Sequence, residues 1–486
     1  MSRLVWAAVV CGLGLTGCAP AEKQSGDAKV PITTQSEEAN AAYLEGRELL
    51  ENLRVTDARE HFQKAVDLDP GFALAWLGLA NTAPTTQEFW SALERASVEA
   101  AAASEGERHV ILAVEAGARS NPASQAQHLQ QLTAAFPGDE RAFNQLGIYH
   151  HFVSQQYPEA IAAYEKAVAI APDYAPPYNL LGYAQRVQGN YEKSEQAFEK
   201  YIELIPGDPN PYDSYAELLM KMARFEESIA TYEKALERDP HFVASYVGIG
   251  LNRIYEGEPD QARETLAKLM ENARTPGEQR QALNRTAQSW IFEGAYEKAL
   301  ETVAQMSALA EEQGDKGALA ADLNLLGNIL LAADKPTEAA ARFTEAGEMS
   351  AESGAQDEAK AAARRNSVFN HGRAALAQGD VAGAKAKAEE YAEQVEMHEV
   401  PFEQRQSHEL NGLVALAEKD YAKAVVELKQ ANLQDPRVQY HMALAHRGTG
   451  DEEAAMQACR QAAEHNGLNF NYAYVREKAK EMLAEG

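Results

Sequence analysis

The chain has 486 residues, 45% hydrophobic and 24% charged, and its 73 acids against 45 lysines and arginines give a net charge of −28. That apolar share excludes a disordered chain, and that charge makes nucleic acid and anionic lipid heads poor partners. With only Cys11, Cys18 and Cys459, neither a disulfide framework nor a cysteine-based metal site is expected.

The first 17 residues read as a targeting segment. Met1 to Arg3 carries one positive charge, and Leu4 to Leu15 is an apolar run too short to span a bilayer comfortably. Leu15, Thr16, Gly17 and Cys18 follow, and this tetrad resembles the lipobox of bacterial lipoproteins. The resemblance implies cleavage before Cys18, lipidation of its thiol, and a membrane anchor made durable by more than one acyl chain. Ala19 after the cysteine points to the outer membrane, facing the periplasm. Gly12, Gly14 and Gly17 spell a dinucleotide loop, but no strand precedes them and the peptide is removed. Residues 18–38, with Pro20, Gly26 and Pro31 and no apolar periodicity, read as a flexible tether of roughly 25 Å.

From residue 39 the chain repeats itself. Gly46, Ala58, Phe62, Ala65 and Pro70 mark a first unit, and Trp76, Leu79 and Ala80 open a second that then diverges. Within the divergent stretch 85–137, Ser104 and Glu107 form a capping box, Asn121 and Pro122 break the helix, and Ser124 to Phe136 makes another. The period is cleanest from Arg141 to Ala262. Pro172, Pro206 and Pro240 recur about every 34 residues, with a small residue (Ala160, Ser194, Ser228, Ala262) and an aromatic four places later (Tyr164, Phe198, Tyr232). The first of these units carries one extra residue between Gly147 and Ala160.

Residues Tyr178, Leu181, Gly182, Ala184, Gly189, Tyr191, Ser194, Phe198, Tyr201 and Pro206 resemble the tetratricopeptide repeat (TPR), with Ser194 and Tyr201 replacing its usual alanines. The resemblance implies an all-α fold, a right-handed α-α solenoid of about eleven helix pairs. Beyond Ala262 the marker slots Ala299, Ala339, Ala384, Ala424 and Ala455 follow at about 37, 40, 45, 40 and 31 residues, so longer helices are expected there. The change of spacing divides the solenoid into residues 39–275 and 276–486, near Thr275 to Gly277, with Phe470 to Leu483 expected as the capping helix.

In the family, the first helix of each pair lines the concave face. Its exposed slots here are Asn144, Ile148, His151 and Phe152, then Asn179, Tyr183 and Arg186. Two further units supply Asp213, Glu217, Met220 and Lys221, then Val247, Leu251, Ile254 and Tyr255. Aromatic area mixed with polar groups suits a protein or peptide partner, although the aromatics would serve equally as packing between repeats. No metal, cofactor or catalytic site is expected: there is no HExxH, nucleophile elbow or phosphate loop in the mature chain. Adjacent His150 and His151 diverge on a helix, and Cys459 sits in the aromatic slot of the last repeat as a small buried group. The favoured expectation is therefore a lipid-anchored, non-enzymatic scaffold of the bacterial cell envelope. The alternative is an accessory subunit or glycan-binding protein of envelope polysaccharide metabolism.

Overall fold

A computed structural model describes residues 29–52, 54–84, 86–119, 121–353, 357–396 and 400–485. The targeting segment and Cys18 lie outside the described residues. Among those described there are 25 α-helices, nine up to Val187 and sixteen from Tyr191 onward, and within each of these stretches successive helices pack side by side. This is the all-helical α-α solenoid architecture, expected from the spacing as about eleven pairs.

The pairs close because a glycine on one helix receives an aromatic ring from its neighbour. A Cβ on Gly147 would lie 2.4 Å from the Tyr164 ring, and one on Gly327 would lie 2.3 Å from Phe343, so only hydrogen fits at either slot. Tyr164 and Phe343 are completely buried as a result. The Ser228 hydroxyl, in a slot where alanine is usual, donates to the Ala216 carbonyl at 2.7 Å and accepts from the Asn252 amide at 3.0 Å. A buried hydroxyl is tolerated here because both of its neighbours satisfy it.

Two compact units divide at Gln188 and Gly189. The sequence places its boundary near Thr275, where helix length changes instead. The helix Pro259–Asn272 has 14 residues, whereas Pro276–Phe292, Tyr296–Glu312, Lys316–Ala332 and Pro336–Glu352 have 17 each. A change of period alters how far each pair reaches without interrupting the stacking, which is why it does not mark a unit boundary.

Each unit also holds a non-helical segment that sequence periodicity does not reveal. In the first, residues 29–36, assigned above to the tether, are pinned in place. The Val30 amide donates to Asp139 (2.8 Å), the Thr33 amide to Glu107 (2.7 Å) and the Thr34 hydroxyl to Asp69 (2.5 Å). Three carboxylates near helix termini thus take up backbone and hydroxyl donors that would otherwise need water. In the second unit the terminal helix is Arg476–Glu485, shorter than the expected Phe470 to Leu483. The residues before it leave the helical path and run inward.

Candidate functional site

The extra residue of the Arg141 repeat is absorbed as a π-helical turn, Tyr149–Val153, at the end of the helix Glu140–Ile148. Asp139 fixes the start of that helix by accepting from the amides of Arg141 and Ala142. One added residue in a helix shifts every later side chain around its axis, and here the shift leaves Phe152 59% exposed, with Ile148 and Val153 exposed beside it in sequence. His151 is buried, with its ring parallel to that of Phe152 at 4.2 Å and edge-on to Tyr157 and Tyr164. Burial and the Arg186 charge hold its imidazole below the usual histidine range, so it is neutral at pH 7. The ring therefore acts as a rigid backing for an exposed phenylalanine.

Asn144 is buried and Asn179 half-buried, in the same slot of consecutive repeats, and the side-chain oxygen of each lacks a hydrogen-bond partner among the described residues. Tyr183 is half-buried under the Arg186 guanidinium, 4.8 Å from its ring centre. The first unit thus presents Ile148 and Phe152 openly and uses Asn144 and His151 largely inside.

In the second unit the expected surface divides differently. Asp213, Glu217 and Lys221 are half-buried. Burial pushes the Asp213 carboxyl up to about 7, helped by Glu217 and opposed by a 2.8 Å hydrogen bond from Ser245. Met220, Val247, Leu251, Ile254 and Tyr255, expected on an open concave face, are buried in one apolar cluster with Tyr472. Neighbouring helices supply Leu266, Leu269 and Ala282 to that cluster, and the run before the terminal helix joins it through Tyr472. Its residues 465–470 are irregular and Asn471–Tyr474 forms one 3-10 turn, packed against the helices Pro276–Phe292 and Pro436–Thr449.

This strap is held mainly through its backbone. The Tyr255 hydroxyl donates to the Gly467 carbonyl at 2.5 Å and accepts from the Gly467 amide at 3.0 Å. Arg285 donates to the Leu468 carbonyl (3.0 Å) and Gln288 to the Asn469 carbonyl (3.1 Å). Tyr472 is fully buried, with its ring 4.7 Å from Tyr255 and 6.2 Å from Phe292. The helical period does not announce the strap, though one signal in the sequence does. Phe470, Tyr472 and Tyr474 alternate with Asn469, Asn471 and Ala473, a period of about two that does not suit a capping helix.

Beside the strap lies a cavity of about 740 Å³ lined by Arg280, Asn284, Arg285, Asn324, Asn328 and Tyr474, among others. Arg280 is committed to Asp322 through two 2.8 Å hydrogen bonds. Arg285 donates to Gln288 and to the strap, and no carboxylate pairs with it among the described residues. Side-chain amides that both donate and accept dominate the polar wall, suited to peptide groups or hydroxyls. Among the described residues no group of three or more His, Cys, Asp and Glu side chains is placed to hold a metal, and no helix is long and apolar enough to cross a membrane. Cys459 is completely buried, its thiol donating to the Ala479 carbonyl.

No curated protein matches the chain. Among solved structures it is similar to a MamA protein (20% identity, 35% of this chain and 91% of the other, TM-score 0.31). Two more are a tetratricopeptide repeat protein of Parabacteroides merdae (15%, 54% and 98%, 0.39) and a thermophilic TPR protein of Thermus thermophilus (18%, 36% and 94%, 0.31). Family models described as tetratricopeptide repeat match residues 43–105, 175–208, 210–242 and 436–464, and one described as TPR repeat matches 151–189. The chain therefore carries tetratricopeptide repeats in both of its compact units.

Proposed function

We propose that this protein is a lipid-anchored scaffold of the bacterial cell envelope, held by Cys18 in the outer membrane, that docks a protein or peptide partner on its first helices. The repeats support the interaction role, and the observation that carries it further is Phe152, left 59% exposed on a buried histidine ring. Large apolar side chains displayed on a rigid backing are what binding anchors need. A photo-crosslinking residue at Ile148 or Tyr183 of the full anchored chain, with exposed Glu165 as control, tests the reading. One protein captured at the first two positions and not at the third supports it, and no capture by the folded chain refutes it. Replacing Cys18 with serine should release the chain from membranes; retention refutes the anchor.

A second reading, a glycan-binding accessory of envelope polysaccharide metabolism, is favoured by the amide-lined cavity of about 740 Å³ with Tyr474 in its wall. Planar amides and an aromatic face suit sugar hydroxyls and ring faces. That reading requires isolated glycan to bind without any protein present and to be lost with Asn284→Ala and Asn328→Ala together.

A further inference from the structure

The strap is positioned as a ligand of the repeats that enclose it. Three successive carbonyls, of Gly467, Leu468 and Asn469, are taken one each by Tyr255, Arg285 and Gln288, and one aromatic, Tyr472, fills the apolar cluster behind them. Backbone groups read by fixed side chains, with one anchoring ring, is how a groove reads a peptide in an irregular conformation. No residue from Asn466 to Val475 is charged, so in a chain of net charge −28 the occupant adds no acid to a surface that supplies arginines.

The fit is also incomplete. The Tyr474 hydroxyl and the Arg476 Nε are buried with no hydrogen-bond partner among the described residues, whereas an interior core ordinarily satisfies such groups. At its base the strap is a closed loop: Arg476 donates to the His465 carbonyl (3.0 Å) and to the Asn466 side chain (3.1 Å), while the helix Arg476–Glu485 packs mainly on Glu452–Ala463 and less on the 3-10 turn. The loop can therefore leave its seat without undoing the helices on either side.

We propose that the concave surface formed by Tyr255, Arg285, Gln288 and the Met220 and Ile254 side chains is a peptide-binding site, now filled by the chain's own residues 466–475. Its partner is an uncharged peptide of the same pattern, Gly-Leu-Asn-Phe-Asn-Tyr, which binds by displacing that segment. This rests on the scaffold reading and adds to it the chemistry of a partner and a built-in competitor.

The test uses the full chain with residues 466–475 replaced by a Gly/Ser linker of equal length, and a fluorescent peptide copying residues 466–475. The peptide should bind the linker variant and bind the intact chain at least about 100-fold more weakly, because a tethered competitor acts at millimolar effective concentration. Binding should be lost when the peptide carries Tyr472→Ala and when the linker variant also carries Arg285→Ala and Gln288→Ala. A folded variant that ignores the peptide, or equal binding by the intact chain, overturns the proposal. So does failure of the linker variant to fold, because the strap is then core.

A second measurement needs no variant. Amides of residues 467–475 should exchange with deuterium sooner than those of the helix Pro276–Phe292, and equal protection also overturns the proposal. The peptide copies the chain's own sequence, so its binding is independent of any cellular partner. Peptide binding without cellular crosslinks refutes the scaffold alone, and crosslinks without peptide binding refute the strap alone.

Discussion

Replacing Tyr255 with phenylalanine removes one oxygen and changes little else, because the ring keeps its place against Tyr472 and Phe225. The hydroxyl serves both polar groups of Gly467, donating to the carbonyl and accepting from the amide. Each lost bond is worth about 1 kcal/mol, and each stranded backbone group adds its own desolvation cost, so the strap should be weakened by about 2–3 kcal/mol. At about 1.4 kcal/mol per tenfold change, local opening of residues 466–475 becomes roughly 30- to 150-fold more frequent. Deuterium exchange resolved by mass spectrometry reads this directly as faster exchange in that segment. Tyr246→Phe is the matched control: on the same helix as Tyr255, it loses hydrogen bonds with Pro240 and Asn272 but none with the strap among the described residues. Unchanged exchange of the strap in Tyr255→Phe, or equal acceleration in Tyr246→Phe, would refute the reasoning.

Four other outcomes follow from the geometry. Arg365 and Glu403 form a buried pair with two 3.0 Å contacts, and exposed Glu358 meets the same guanidinium at 2.8 Å, so Glu403→Gln should cost about 2 kcal/mol in urea denaturation, less than for a pair with no other partner, whereas Arg365→Met with Glu403→Leu should restore stability to within about 1 kcal/mol. Asp213, raised by burial from 3.8 to about 7, holds its proton more tightly folded than unfolded. Its contribution is greatest below about pH 4 and is lost as pH rises through about 7, so Asp213→Asn should raise the melting temperature at pH 8 and leave it little changed at pH 4. Ala223 turns between helices at φ +58, a slot filled elsewhere by Gly257, Gly294 and Gly379, and Ala223→Gly should gain up to about 1 kcal/mol by thermal or chemical unfolding. The buried Cys459 thiol, whose ionisation burial pushes up, should ignore a thiol reagent in the native chain and react fully once unfolded.

The repeat was legible because its determinants are local. Gly147, Gly182 and Gly327 had to be small, and Tyr164, Phe198 and Tyr232 had to be large, at fixed spacing along one chain. Even the extra residue before Ala160 could be counted, and the helix lengthening after Pro276 followed from the spacing of the alanines. Which first-helix slots remain open was not legible. Phe152 and Tyr255 occupy comparable first-helix faces, yet one is 59% exposed and the other 6%. Phe152 is exposed by a π-helical turn that absorbs one extra residue, and Tyr255 is covered by a segment 212 residues away in sequence. Residues 29–36 and 466–475 have no helical period to announce them, and both are placed by side chains on distant helices. Periodicity records only what a residue needs from neighbours three and four places away, so the sequence determined the stacking of pairs. What covers the first-helix faces depends on contacts between remote segments, and only the tertiary structure decided it.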